Sequence, residues 1–298
     1  MRHIASGQLF EGCPRSWTSG ASALAWCSWR PFEIPVKILH ISDTHLTGDD
    51  RLLFGSSPRD RLAAAIDTIR REHADARLCL FTGDLAEGAS LEAYRQMAQL
   101  AASLPMPCRF LVGNHDARPE LLRVLAPDHP HADAFLQQIF ETEQGRFLLL
   151  DTLRSGAPGG ELCGQRLGWL RQQLEAAQPG LDFWLVMHHP PLALGIPSMD
   201  QYALEQPELL WETLRPYRER IRHILFGHVH RAIGGSWHGI PFSCCKSTNH
   251  QVALDLVSRS ADVPGAHDAP GFSVILINQH SVVVHHQEFL STGPAFFL

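Results

Sequence analysis

The chain has 298 residues, is 45% apolar and carries a formal charge of −6, which suits one large globular domain or two small ones. Its Lys and Arg residues are spread thinly, so there is no basic stripe for a nucleic-acid polymer, and no apolar run nears the roughly 20 residues that cross a bilayer. Seven cysteines without CxxC spacing, and an amino terminus without a secretory pattern, set the expectation of a reduced, cytoplasmic protein; the 18 histidines, gathered in short motifs, invite a metal reading.

Residues 1–35 show neither helical nor strand periodicity, end in Pro31 and Pro35, and read as an irregular extension ahead of a domain over 36–298. The β-rich run Val36 to Ser42 predicts a central strand that delivers Asp43 and His45. Residues two apart in an extended segment point the same way, so this D-x-H pair offers a carboxylate oxygen and an imidazole nitrogen to one ion, although D-x-H alone is common. Leu62, Ile66 and Ile69 in an Ala-rich stretch predict a helix over 59–72. A second strand, 77–82, ends in Gly83 and Asp84, and a helix is expected over 89–102. A third, 107–112, runs into Gly113-Asn114-His115-Asp116, where glycine lets the chain turn tightly at a sheet edge. Taken alone, Asn and Asp after Gly are also ordinary turn residues.

Helical stretches are expected around 119–125 and 133–140, followed by a strand over 146–151 whose Asp151 reads as a capping or turn acid. A helix over 165–177 precedes a strand over 182–187 that stops at His188-His189-Pro190-Pro191, where proline ends ladder pairing. A further helix over 207–219 leads to a strand over 222–226 and then to Gly227-His228-Val229-His230. Residues 239–286 alternate apolar runs with turns and are expected to form an antiparallel set closing a second sheet, with 258–271 a surface loop near the mouth of the site.

Five motifs thus follow directly on apolar strands: Asp43-x-His45, Gly83-Asp84, Gly113-Asn114-His115-Asp116, His188-x-Pro190 and Gly227-His228-x-His230. Together they resemble the calcineurin-like metallophosphoesterase family across about 36–290, with every ligand position of the family pattern filled in the family's order. The His-His-Pro-Pro form and the segment Ser247 to Gln251 are similar to its class III cyclic nucleotide phosphodiesterases and bacterial glycerophosphodiesterases. The resemblance implies a four-layer α/β/β/α sandwich of two mixed sheets flanked by helices, with a metal site at the strand carboxyl ends.

It also implies two metal ions, Fe, Mn, Zn or Co, one on Asp43, His45, Asp84 and His230 and the other on Asp84, Asn114, His188 and His228, with Asp84 as the bridge. Hydrolysis of a phosphoester near neutral pH needs a nucleophile stronger than water and positive charge facing the phosphoryl oxygens, and a metal-bridging hydroxide between two cations meets both needs. On the same resemblance His115 contacts the phosphoryl group or protonates the leaving oxygen, and His115, Asn114 and His250 contact substrate. His189 is read as pointing into the core. Asp116 and Glu87 either orient ligand histidines from behind or are turn and helix-start acids.

The expected activity is hydrolysis of a small phosphodiester such as a 3',5'-cyclic nucleotide. The alternatives are a pyrophosphate or phosphomonoester hydrolase of the same fold and a non-catalytic binding module. Only Arg118, Arg231 and Lys246 lie near motifs, which leans towards a singly charged diester. A homodimer is left open.

Overall fold

Alternation along the strands builds the architecture. The computed structural model describes residues 35–128, 135–258 and 260–290. The extension expected over 1–35 lies outside them, apart from Pro35. In β1 (Val36–Ile41), Ile38 faces one core and Leu39 and Ile41 another. The same division recurs in β2 (Leu78–Phe81), where Leu78 and Leu80 face inwards and Cys79 and Phe81 outwards. A period of two with both faces apolar is the signature of strands covered on both sides.

Between these strands, α1 (Pro58–Glu72) starts where the Ser57 side chain accepts the Asp60 amide with Pro58 in the first turn, and it buries Leu62, Ile66 and Ile69. Next, α2 (Leu91–Ala101) begins under a Ser90 cap, and β3 (Cys108–Phe110) and α3 (Arg118–Leu125) follow. The expected helix over 133–140 is corrected in its described part. There the chain forms β4 (Gln138–Thr142), paired antiparallel with β5 (Gly145–Leu149), its residues alternating between half-buried and exposed as an edge strand does.

Then come α4 (Gly164–Glu175), β6 (Phe183–Val186), the short α5 (Pro197–Asp200) and α6 (Pro207–Leu214). A 3₁₀ turn over Arg215–Arg220 replaces the end of the expected helix and leads into β7 (Ile221–Phe226). The carboxyl-terminal part holds β8 (Ile233–Trp237), β9 (Ile240–Cys244), β10 (Gln251–Val252), β11 (Gly265–Ala266), β12 (Gly271–Ile277) and β13 (Val282–Glu288).

Two mixed sheets result, one ordered β13-β12-β1-β2-β3 and the other β4-β5-β6-β7-β9-β8. Here too the sequence expectation is corrected. The late strands do not close one sheet: β8 and β9 extend the second, with β9 parallel to β7, while β12 and β13 complete the first through antiparallel pairing of β12 with β1. The expected loop 258–271 contains β11, which pairs with β10.

Leu80, Leu111, Phe147, Trp184, Val186 and Ile275 fill the layer between the sheets, and separate apolar clusters lie beneath the helices on either side. The order of layers is therefore α/β/β/α. The carboxyl ends of the parallel strands β1, β2 and β3 and of β6 and β7 all open onto one edge.

Candidate metal centre

Sharp backbone turns bring the side chains together at that edge. Asp43 (φ 55), His45 (φ 47), Asp84 (φ 49), His228 (φ 71) and His230 (φ 49) all occupy the left-handed region. Non-glycine residues are sparse there, and each such strain costs on the order of 1–3 kcal/mol. Cross-strand backbone bonds hold the turns: the Asp43 amide donates to Gly83 O at 3.1 Å, His45 N to Asp84 O at 2.9 Å and Gly227 N to His188 O at 3.1 Å. A Cβ at Gly113 would collide with the Asp84 carboxylate and amide, so the turn after β3 closes over Asp84 only as glycine.

The ring hydrogens of the histidines are directed away from the centre. His45 Nδ1 lies 2.8 Å from Glu87 Oε2, His230 Nδ1 lies 2.9 Å from the carbonyl of His250, and His188 Nδ1 lies 2.8 Å from the carbonyl of Thr82. With those nitrogens donating, each Nε2 presents a bare lone pair. His45 Nε2 and His230 Nε2 then face each other at 3.2 Å, with Asp43 Oδ1 3.4 Å from the latter. His188 Nε2 stands 3.3 Å from both Asp84 Oδ2 and Asn114 Oδ1, and Asn114 Oδ1 is also 3.0 Å from His228 Nδ1. His228 Nε2 is buried without a hydrogen-bond partner among the described residues. Acceptors crowded on acceptors in a buried site are stable only around positive charge. The donor set of Asp43, His45, Asp84 and His230, all buried, fits a cation, and His188, His189 and His228, also buried, form a second group of candidate donors.

The acid–base balance reflects the same crowding. Burial disfavours charge on His188, yet the Asp84 carboxylate raises its pKa to about 9, so the position between Nε2 and Asp84 draws positive charge, a proton where no cation takes its place. Burial and the neighbouring His188 lower the pKa of His228 to about 3. Burial works to raise the Asp43 and Asp84 carboxyls, but His230 and His188 respectively hold them below the usual carboxylate range.

The residues singled out in the sequence therefore converge. His45, Asp84, Asn114, His115, His228, His230 and His250 line a cleft of about 290 Å³, with Asp43 and His188 buried behind it. The His115 amide donates to Asp84 Oδ1 at 2.8 Å, and its ring Nδ1 lies 3.0 Å from Glu87 Oε2. The imidazole of His250 sits 4.9 Å from that of His45 and 4.6 Å from that of His230. His189, read as pointing into the core, is buried with Nδ1 against Thr152 Oγ1 at 2.8 Å and Nε2 against Pro158 O at 3.2 Å, while its ring stays 4.7 Å from that of His228.

Glu87 takes the first of the two roles left open for it in the sequence, whereas Asp116 and Ser247 do work that the sequence did not reveal. Glu87 bridges His45 and His115. Asp116 accepts the amides of Leu85, Ala86 and Gly113 together with the Tyr94 hydroxyl, and so ties the Asp84 turn to the Gly113 turn. Ser247 donates to the carbonyl of Asp43 at 2.7 Å.

Asp151, read as a capping or turn acid, does accept the amide two residues on and is in addition fully buried. It accepts Arg118 Nε at 2.6 Å and Arg118 Nη2 at 2.9 Å as well as the amides of Leu136 and Leu153. No helix among the described residues is long and apolar enough to cross a membrane.

The chain is similar to a probable cyclic nucleotide phosphodiesterase of Rhodopseudomonas palustris, 35% identical over 88% of this chain and 96% of that protein. It is also similar to the 3',5'-cyclic adenosine monophosphate phosphodiesterase CpdA of Escherichia coli K12, 34% identical over 73% of this chain and 80% of that one. In fold it resembles a dimetal phosphatase from Danio rerio, with a TM-score of 0.65 at 15% identity over 86% of this chain and 97% of the other. The calcineurin-like phosphoesterase family model matches residues 36–232, the span that carries all five strand-end motifs, and the chain belongs to that family.

Proposed function

We propose that this metal-dependent phosphodiester hydrolase acts on a 3',5'-cyclic nucleotide or a closely related small diester. The observation that carries the reading is the position of Asp84 Oδ2, 3.8 Å from His45 Nε2 and 3.3 Å from His188 Nε2, where one carboxylate belongs to two donor sets. Asp43, His45, Asp84 and His230 would hold one cation, and Asp84, Asn114, His188 and His228 a second; Fe, Mn, Zn and Co all suit such mixed ligands. When bound, the pair supplies Lewis-acid charge to the phosphoryl oxygens and lowers the pKa of water towards roughly 7.

The chain's own residues do the rest. Neutral Asn114 limits the negative charge on its side of the centre. His115 keeps a proton near neutral pH, since the Glu87 and Asp84 carboxylates outweigh its burial and raise its pKa to about 9. That proton suits transfer to a leaving oxygen or donation to a phosphoryl oxygen. His250, at the rim, is the second side chain we assign to substrate.

The cleft's charge supports a diester over a monoester or a pyrophosphate. Its described lining contains no Lys or Arg. Arg118 is engaged by Asp151, Arg231 by the Val252 carbonyl and Lys246 by Glu288. A dianionic phosphate would lack the guanidinium clamp that such substrates favour. Relatives named for cyclic nucleotides support the substrate class, and a cytoplasmic setting with a small-molecule partner belongs to the same reading.

The test is a kinetic screen of metal-reconstituted protein against cyclic AMP, cyclic GMP, a glycerophosphodiester, a monoester and a dinucleotide pyrophosphate. The highest kcat/KM is expected on a cyclic nucleotide. Preference for the monoester or pyrophosphate would replace the reading, and metal-loaded protein without turnover on any of them would make the chain a binding module.

A further inference from the structure

Beside the metal-ligand cluster, one wall of the cleft is apolar and carries an unexpected side chain. Phe54 is 63% exposed and lies on the cleft lining, its ring 4.6 Å from that of His250. Val252 and Val263 continue this wall, and the same four residues line an adjoining cavity of about 300 Å³. The wall thus runs past the phosphoryl-binding end of the cleft into a second space.

The backbone at Phe54 makes its presence there costly. Leu53 and Ser56 exchange backbone hydrogen bonds at 2.8 and 3.1 Å around the two central residues Phe54 (φ 52) and Gly55 (φ 79). Positive φ at both central positions is the pattern of a type I′ turn, in which Asn or Asp followed by Gly is preferred and a bulky residue is strained. An aromatic residue that is strained by its backbone and has more than half its surface in water contributes little to folding. Strain of that kind collects where a side chain is needed for a ligand.

We propose that Phe54 is the specificity-determining residue that receives the nucleobase, stacking its ring on the heteroaromatic face while Val252 and Val263 cover the base edge. This rests on the cyclic nucleotide reading above. The chemistry is general: every base has a flat π face, and an aromatic ring placed on it needs no hydrogen-bond pattern. The wall offers no charged group to the base, so stacking would grip purines without strong choice between adenine and guanine.

The informative substitution is Phe54→Asn, since Asn is the residue that the turn prefers and the fold is then kept. Steady-state kinetics of the metal-loaded protein compare cyclic AMP with glycerophosphoethanolamine, a diester without a base. For Phe54→Asn the ratio of the two kcat/KM values, cyclic AMP over base-free diester, is expected to fall on the order of 10-fold, mostly through KM for cyclic AMP. Phe54→Trp is expected to keep or raise the ratio, and the melting temperature of Phe54→Asn to match or exceed the wild type.

An unchanged ratio in Phe54→Asn, with the wild type active on cyclic AMP, overturns the assignment and leaves the substrate reading standing. An equal loss on both diesters also overturns it, because Phe54 would then act on the reacting centre. A wild type active on the base-free diester alone overturns the substrate reading and the assignment with it.

Discussion

Glu87 Oε2 lies 3.0 Å from His115 Nδ1, and this contact turns an ordinary cleft histidine into a proton store. Burial opposes charge on His115, but the hydrogen bond to Glu87 and the nearby Asp84 raise its pKa to about 9. If His115 protonates the leaving oxygen, its worth scales with leaving-group basicity, since an alkoxide departs badly without a proton and a nitrophenolate does not. His115→Ala is therefore expected to lose 10²- to 10⁴-fold in kcat on an alkyl or ribose diester, roughly 3 to 5 kcal/mol of barrier, and far less on a nitrophenyl diester.

The pH profile carries the same signature. A donor is competent while protonated, so the rate on the alkyl diester should fall as pH rises through the His115 pKa, which cations on Asp84 would bring below its metal-free value of about 9, and Glu87→Gln should move that limb to lower pH. Equal losses on both substrates, with metal content unchanged, would reduce His115 to a contact with the phosphoryl oxygens.

On the proposed reading Asp84 is the shared carboxylate, so its loss should be felt on both sides of the centre. Asp84→Asn is expected to leave less than one tightly held metal per chain by elemental analysis, whereas His230→Ala should deplete mainly the set that contains Asp43 and His45. Two metals retained by Asp84→Asn after dialysis would contradict the shared role.

Asp151 tests the opposite case, an acid at a strand end that holds no ligand position. It is fully buried, and it faces Arg118 and, 3.8 Å from its Oδ1, the buried Arg166. Removing one partner of a buried pair strands the other charge, so Asp151→Ala should cost about 3–5 kcal/mol of stability. Metal content of the folded fraction is expected to stay at the wild-type level. Loss of metal at unchanged unfolding free energy would mean that Asp151 serves the centre after all.

Asp43, His45, Asp84, Asn114, His188, His228 and His230 were legible in the sequence because each ends an apolar run, and strand ends are where this architecture exposes side chains. The layer order was legible only through the family resemblance. Periodicity alone misread 133–140, where the short Gln138–Thr142 edge strand has too few residues to separate period two from 3.6. It also could not assign β12 to the first sheet, because alternation reports a strand without naming its partner.

Asp116 and Ser247 stayed hidden for a different reason, and the sequence left Glu87 undecided between two roles for the same one. Their work consists of hydrogen bonds between segments far apart in the chain, and nothing in their local sequence differs from an ordinary turn acid or serine. Phe54 was invisible because its meaning lies in a positive φ and a cleft wall, neither of which a sequence displays.

A last expectation concerns acid stability and a histidine outside the cleft. His223, on β7, is buried with Nε2 3.0 Å from Ser243 Oγ, while its buried Nδ1 has no hydrogen-bond partner among the described residues. A proton on Nδ1 would place an unpaired charge in the sheet, and burial accordingly lowers the pKa from 6.5 to about 4. The unfolded chain takes up this proton near 6.5 and the folded chain only near 4, so the folded state is undisturbed above pH 6.5 and loses stability as pH falls below it. The slope approaches about 1.4 kcal/mol per pH unit and flattens once the folded chain is protonated as well. His223→Gln keeps a partner for Ser243 and cannot titrate. In urea unfolding of metal-free wild type and variant between pH 7 and pH 4, the wild type should therefore lose on the order of 3 kcal/mol more than the variant across the range. The buried His40 is held down to about 3, by burial first and in small part by His223 itself, so it stays unprotonated in the folded chain over most of this range and largely cancels in the difference. Parallel curves would mean that His223 takes up its proton at the same pH in the folded and unfolded chain, and the buried-proton argument would fail.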